Sequence, residues 1–293
     1  MPLAKPTLSQ LNTLFNQQQL GTLDSHQPVS GGCICQSFLL TTVTGPTKTK
    51  QAFFLKTHRQ PPANFFYREA AGLEALTHST RLRIPKVIAA ANDYLLLEYI
   101  EEGYPSAQYW QTLAQGMAEL HRQTQPYFGF TVDNFCGETP QPNPATSNGY
   151  QFFADQRLHF QTERAISNGL LTKEDQQAID RLINKLPSLI PEQAPSLIHG
   201  DLWSGNIYCD AIGQPVLIDP SCHFGWREAD IAMTRLFGHL PDTFYSTYQE
   251  LLPMEEGWQQ RMSIYNLYHL LNHLNLFGNR YLNQVRQVIR TFV

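Results

Sequence analysis

The chain has 293 residues, enough for two modest lobes with a core each, and its 42% hydrophobic and 16% charged residues mark a globular protein. Its 25 acidic and 21 basic residues leave a formal charge of -4, so nothing favours a nucleic-acid partner. No stretch reaches the roughly 18 uncharged apolar residues of a membrane span.

The N-terminus, Met1 to Pro6, leads into a Gln-rich amphipathic segment rather than the apolar core of a signal peptide, and the expected compartment is the cytoplasm. After Pro6, Leu8, Leu11, Leu14 and Phe15 recur at helical spacing. Residues 37–43 and 51–55, rich in Phe, Leu and Thr and separated by Gly45-Pro46-Thr47-Lys48, predict two antiparallel strands and a turn. Residues 64–78 return to helical spacing through Phe66, Ala70, Leu73 and Leu76. Residues 94–100 form an apolar, β-rich run broken by Glu101-Glu102-Gly103, which closes a strand-rich first lobe at a hinge.

From 106 to 123 helical periodicity takes over, with Trp110, Leu113, Met117 and Leu120 in one stripe. The Pro/Asn/Gly-rich interval 128–149 is the longest irregular stretch, and such loops in compact domains tend to be functional. Helical patterns follow over 152–168, 172–186, 262–278 and 281–292. The class predicted is α+β, with a small β-rich lobe over 1–100 and a larger, mostly α lobe over 101–293.

The chemistry concentrates in Ile198-His199-Gly200-Asp201-Leu202-Trp203-Ser204-Gly205-Asn206, followed by the apolar run 216–218 and Asp219. An aspartate, an asparagine five positions on and a second aspartate after a buried strand are the parts of a phosphotransfer site. In that reading Asp201 takes the proton of an acceptor hydroxyl, while Asn206 and Asp219 hold Mg2+ against the phosphates of ATP. His199 is followed by Gly200 where a protein kinase has Arg; it reads as a packing brace. Upstream, Lys56 closes the strand 53–55 and can reach the α and β phosphates, and Glu69 thirteen positions later can hold that lysine. Alone, each would be an ordinary surface charge, and their order with the Asp201 loop is what singles them out.

Other candidates are weaker. Ser30-Gly31-Gly32-Cys33 lies where a phosphate-covering loop belongs, but lacks the full G-x-G-x-x-G and can equally be a plain turn. Asp230 opens a helix from which it can bond to the catalytic-loop backbone. Trp203 is either a core anchor or an apolar platform for substrate. His269 and His273 have the i, i+4 spacing of a zinc pair, but Leu270 stands where a metalloprotease needs Glu, so a packed helix face is expected. Arg280, Arg286 and Arg290 read as a solvated face. Five cysteines, Cys33, Cys35, Cys136, Cys209 and Cys222, are scattered without ligand spacing, so reduced thiols and no structural metal are expected.

HGDLWSGN at 199–206, with FGFTVDNFCGETPQPN at 128–143, FFADQRL at 152–158, WREADIAMTRLFG at 226–238 and YHLLNHLNLFG at 268–278, closely resembles the fructosamine kinase (ketosamine-3-kinase) family over nearly the whole chain. HGDxxxxN alone would point only to the wider aminoglycoside-phosphotransferase and choline-kinase-like group. The resemblance implies a bilobal protein-kinase-like fold and ATP-dependent phosphorylation of the sugar C3 hydroxyl of a fructosamine or other ketosamine, after which the adduct falls apart and frees its amine. It implies Asp201 as base, Asn206 and Asp219 as Mg2+ ligands, and Lys56 with Glu69 as the nucleotide-positioning pair. It further implies Gly31, Gly32 and Cys33 as phosphate loop, the backbone of Leu97-Glu98-Tyr99 facing adenine, and Trp203 against the sugar. The chain is expected as a monomer or a redox-sensitive homodimer linked through Cys33. Two departures, Trp226 for a usual histidine and Pro144-Ala145-Thr146-Ser147 for a common Gly and Trp, bear on which ketosamine fits. The rival readings are a kinase of another hydroxyl-bearing small molecule, aminoglycoside or choline-like, and a nucleotide-binding redox sensor.

Overall fold

The computed structural model describes residues 3, 5–29 and 34–293. Its first lobe is a five-stranded antiparallel sheet in the order β1-β2-β3-β5-β4, built from β1 (Thr22–Val29), β2 (Gln36–Thr44), β3 (Thr49–Thr57), β4 (Val87–Ala90) and β5 (Tyr94–Glu98). Period-2 alternation divides this sheet between two cores. Phe53, Leu55, Tyr94 and Leu96 turn outward with Phe38 and Leu40 and bury Leu11 and Phe15 of helix α1 (Lys5–Gln17). Leu95 and Leu97 turn to the other face, against Phe66, Leu73 and Leu76 of α2 (Phe65–Thr77). Lys56 pairs in register with Leu95, so its side chain leaves on this inner face.

β1 escaped sequence reading because TLDSHQPV is polar and mostly exposed. It is an edge strand, the one place where its Pro28 costs no ladder bond.

The lobes meet along the chain at two places. Past α2, Leu82 lies under Gly116, where a Cβ would meet it at 2.2 Å, and Arg83 bridges to Val216. After β5 the chain runs along 99–108, where Gly103 N–H donates to Cys209 O at 3.1 Å, into α3 (Tyr109–His121).

The second lobe is mainly helical. The interval expected to be irregular carries a small hairpin, β6 (Asn134–Cys136) and β7 (Thr139–Gln141), turned by Gly137 at φ +63°. Three-residue strands leave no periodicity to read. α4 (Gly149–Phe153) continues through one π-helical turn, Ala154–His159, into α5 (Phe160–Ser167). α6 (Lys173–Leu189) starts on a capping box, Thr172 with Asp175. Short strand pairs follow: β8 (Ser196–Ile198) with β11 (His223–Gly225), and β9 (Ile207–Cys209) with β10 (Pro215–Leu217). α7 (Glu228–Met233), α8 (Asp242–Leu251), α9 (Trp258–Phe277) and α10 (Leu282–Phe292) complete the lobe. α9 is buried over most of its circumference, polar Arg261, Asn266, His269 and Asn272 included, as a central helix is.

Among the described residues no helix is long and apolar enough to cross a membrane. Of the arginines expected on a solvated face, Arg280 and Arg290 are exposed, Arg280 lying over the rings of Phe277 and Tyr281, while Arg286 grips Asp175 through two bonds of 2.8 and 2.9 Å. Trp226 is buried among Phe128, Tyr150, Phe153 and Tyr265, so it acts as core.

Candidate active site

The site lies between the lobes, where β3 and α2 face the loops on either side of the β9–β10 hairpin. Lys56 is only 7% exposed, so the solvated lysine that its strand end would otherwise suggest is ruled out. Its Nζ lies 2.7 Å from Glu69 Oε1 and 2.9 Å from Asp219 Oδ1. Burial opposes the lysine's charge, yet the carboxylates of Asp219 and Glu69 outweigh it and hold its pKa above the ordinary value.

The catalytic loop is held from behind. Asp230 Oδ2 accepts His199 N–H at 2.7 Å, and its Oδ1 accepts Gly200 N–H at 2.9 Å. His121 Nε2 lies 3.1 Å from the same carboxylate. His199 is fully buried, and burial keeps it neutral by lowering its pKa. Its Nδ1 accepts Asp201 N–H at 3.3 Å, so Nε2 carries the proton and donates to Ile218 O at 3.0 Å. The histidine thereby ties the catalytic loop to the strand leading to Asp219. Gly200 sits at φ +81°, and a Cβ there would stand 2.2 Å from Ser221 O. No residue with a side chain fits, which explains glycine where protein kinases carry arginine.

Asn206 Nδ2 donates to Asp201 O at 2.9 Å and to Asp201 Oδ2 at 3.1 Å. With its amide nitrogen engaged, its oxygen is the atom left for a cation. Asp219 has left-handed backbone, φ +55°, a strain that a non-glycine residue carries for a reason. Two oxygen donors, one of them charged, suit a hard cation such as Mg2+. Asp201 is pushed up to about 7 by burial, with the nearby Asp219 carboxylate adding to the effect. That range suits a general base.

Of the hinge residues, Glu98 already donates its N–H to Lys86 O at 2.8 Å, and its carboxylate takes Arg83 Nη2 at 2.6 Å. It braces the hinge, and half-buried Tyr99 follows it. Gly31, Gly32 and Cys33 lie outside the described residues.

Trp203 is 37% exposed and folds over Gly205, where a Cβ would stand 2.2 Å from its ring. Its edge meets Phe237 at 6.3 Å between centroids, and Phe237 continues to His273 at 4.7 Å. His273 lies 5.1 Å from Tyr281. Trp203, Phe237, His273 and Tyr281 therefore form one continuous aromatic wall.

Sequence reading missed three parts of the site. The β6–β7 hairpin clamps the segment after Asp219: Asn134 Nδ2 donates to Cys222 O at 2.8 Å, Gln141 Nε2 to Ser221 O at 3.1 Å, and Ser221 Oγ to Phe135 O at 2.8 Å. The same hairpin touches the first lobe through Phe135 on Phe65, 5.1 Å, and Glu138 on His58, 2.6 Å, which fixes α2 and hence Glu69. Arg157 is buried and among the described residues pairs with no carboxylate; burial lowers its pKa to about 10, and it binds Pro142 O and Asn143 Oδ1. It thus holds Asn143, immediately before the departure from the family pattern at 144–147. Finally, His269 is not simply a packed helix face: its Nδ1 lies 4.0 Å from Asp201 Oδ1 and 4.0 Å from Cys136 Sγ. His273 bonds to His269 O through Nδ1, and its ring packs against Phe237, Phe277 and Tyr281.

Comparison with known proteins places this geometry. A fructosamine kinase family model matches residues 7–293. A probable ketoamine kinase of Synechocystis is 38% identical over 275 residues, 92% of this chain and 90% of that protein. A crystal structure of a Thermobifida fusca protein, to which fructosamine-3-kinase function is ascribed, superimposes with a TM-score of 0.87 at 28% identity, covering 99% of both chains. An aminoglycoside phosphotransferase bound to AMP-PNP and hygromycin B shares the fold, with a TM-score of 0.64 at 17% identity over 94% of this chain and 97% of that one.

Proposed function

Because the chain belongs to the fructosamine kinase family, we propose that it phosphorylates the sugar C3 hydroxyl of a ketosamine, a step that leads to release of the amine. It is an ATP-dependent phosphotransferase with an alcohol acceptor. The observation that carries the reading is the convergence of Lys56, Glu69, Asp201, Asn206 and Asp219 from four separate segments on one cleft. Asp201 accepts the hydroxyl proton as the sugar oxygen bonds to the γ-phosphorus, and the bond from that phosphorus to the bridging oxygen breaks to leave ADP. Lys56, released from Asp219 toward the α and β phosphates, keeps Glu69 as its anchor. Mg2+ held by Asn206 and Asp219 would supply charge neutralisation for the phosphates.

Trp203 is read as the face on which the sugar rests, and the aromatic wall beyond it as the place for the amine's substituent. Trp226, buried in the core, and the loop at 144–147 lie outside the phosphotransfer set, so in this reading the two departures bear on which ketosamine fits rather than on catalysis. Cys33 is carried in this reading as the thiol of a redox-sensitive dimer, to be tested by non-reducing electrophoresis of the Cys33→Ser variant. The cytoplasm is the proposed compartment.

The decisive assay is ATP turnover on a panel of ketosamines, aminoglycosides, choline and simple alcohols, with Asp201→Asn alongside. Asp201→Asn is expected to lose about a hundredfold or more in kcat. Undiminished turnover in that variant would overturn the base assignment, and equal rates on simple alcohols would overturn the ketosamine assignment.

A further inference from the structure

The thiol of Cys136, the imidazole of His269 and the carboxylate of Asp201 each present one donor atom, and all three atoms lie within 4.8 Å of one another. They come from the β6–β7 hairpin, from α9 and from the catalytic loop. His269 directs the same atom, Nδ1, at both other groups, 4.0 Å from each.

Zinc bound tetrahedrally takes ligands at roughly 2.0–2.3 Å, which sets its ligand atoms about 3.3–3.6 Å apart. Closing the present separations therefore needs each side chain to move by about 0.5–1 Å. The surroundings favour a neutral imidazole and give the Cys136 sulfur one fixed donor. Asn272 Nδ2 donates to Cys136 Sγ at 3.3 Å, and Gln161 Nε2 orients Asn272 by bonding its amide oxygen at 3.2 Å. Such fixed donors around a ligand atom are what tune a metal site. Burial lowers the His269 pKa to about 3, so the ring offers a lone pair without first losing a proton. Burial equally holds the Cys136 thiol at about 12, so a cation must displace that proton on binding. Asp201 remains about one-fifth exposed, which opens the cluster to the cleft.

We propose that Cys136, His269 and Asp201 form an inhibitory zinc site, with water or a substrate hydroxyl as fourth ligand, through which the ion removes Asp201 from catalysis. A soft thiolate separates this site from the neighbouring all-oxygen pair of Asn206 and Asp219, which prefers Mg2+. The inhibition rests on the kinase reading above, whereas the metal binding does not.

The test uses Co2+ and Zn2+ on the purified full chain with Mg2+ in excess. Wild type is expected to show a thiolate-to-cobalt charge-transfer band that Zn2+ bleaches, and Cys136→Ser is expected to lack it. Zn2+ inhibition of ATP turnover should weaken at least about tenfold in Cys136→Ser, since even partners behind a ligand are worth that much. Turnover without Zn2+ should change little in that variant. Should it fail to fold, zinc-edge X-ray absorption of the wild type reads one sulfur and one imidazole directly. Absence of sulfur from the zinc shell, equal Zn2+ inhibition of both proteins, or reversal of inhibition by more Mg2+ would overturn the site. A cobalt band lost in Cys136→Ser in a chain without kinase activity would retain the metal site and remove the kinase reading; an active kinase without the band does the reverse.

Discussion

Replacing Asp201 by Asn should make the protein more stable while it destroys activity. Burial and the adjacent Asp219 carboxylate raise Asp201 from 3.8 to about 7. The folded protein thus holds this proton more tightly than the unfolded chain does. The carboxyl's contribution is fully present below about pH 4 and is lost as the pH rises through about 7. At about 1.4 kcal/mol for each tenfold change in proton affinity, the loss reaches about 4 kcal/mol at pH 8, and about 2–4 after local relaxation. An amide at 201 escapes that cost, and its oxygen can still accept from Asn206 Nδ2, now at 3.1 Å from Oδ2. For a chain of this size each kcal/mol moves Tm by roughly 2 °C or more, so the variant should melt about 5–10 °C higher at pH 8. The assay is thermal denaturation of both proteins from pH 4 to pH 8, without nucleotide or divalent cation. The difference should open between about pH 4 and 7 and stay flat above. A gap independent of pH, or a variant less stable at pH 8, would refute the electrostatic account of this site.

Three other substitutions probe the rest of the cleft. Lys56→Ala leaves Glu69 and Asp219 facing each other without a cation and should cost about 3 kcal/mol in chemical denaturation at pH 8, with part of the loss recovered near pH 5 as a carboxylate protonates. Gly200→Ala forces a Cβ against Ser221 O at a left-handed φ, so it should lower stability by more than about 3 kcal/mol or abolish turnover through a displaced Asp201; a wild-type melting curve with wild-type kcat would contradict the geometry. Trp203→Ala should raise KM for the ketosamine by about tenfold, worth about 1.4 kcal/mol of ring contact, with KM for ATP unchanged. A change confined to ATP would place the indole on the wrong side of the reaction.

Much of the proposed catalytic set was legible because its logic is local or ordered. HGDLWSGN folds as one loop, so Asp201 and Asn206 are neighbours by chain connectivity alone, and the apolar run before Asp219 declares a buried strand. Lys56 and Glu69 were legible as a pair only through their order, since a lysine near a strand end carries no mark of burial; the sheet face that hides it depends on the register with β5. The polar edge strand β1 and the β6–β7 hairpin were not legible. The first shows little hydrophobic alternation, and the second is too short to show any.

The sequence by itself determined the proposed chemistry: a base, a cation-binding pair and a phosphate-reaching lysine, in an order that phosphoryl transfer requires. Only tertiary structure decided what surrounds that base. Cys136 and His269 stand 65 positions before and 68 positions after Asp201, and no periodicity relates them to it. Their meeting follows from the packing of a hairpin and a central helix on the catalytic loop. Local propensities set elements and motifs, while contacts between distant elements are set by how buried faces fit, and the fit is written in no single segment.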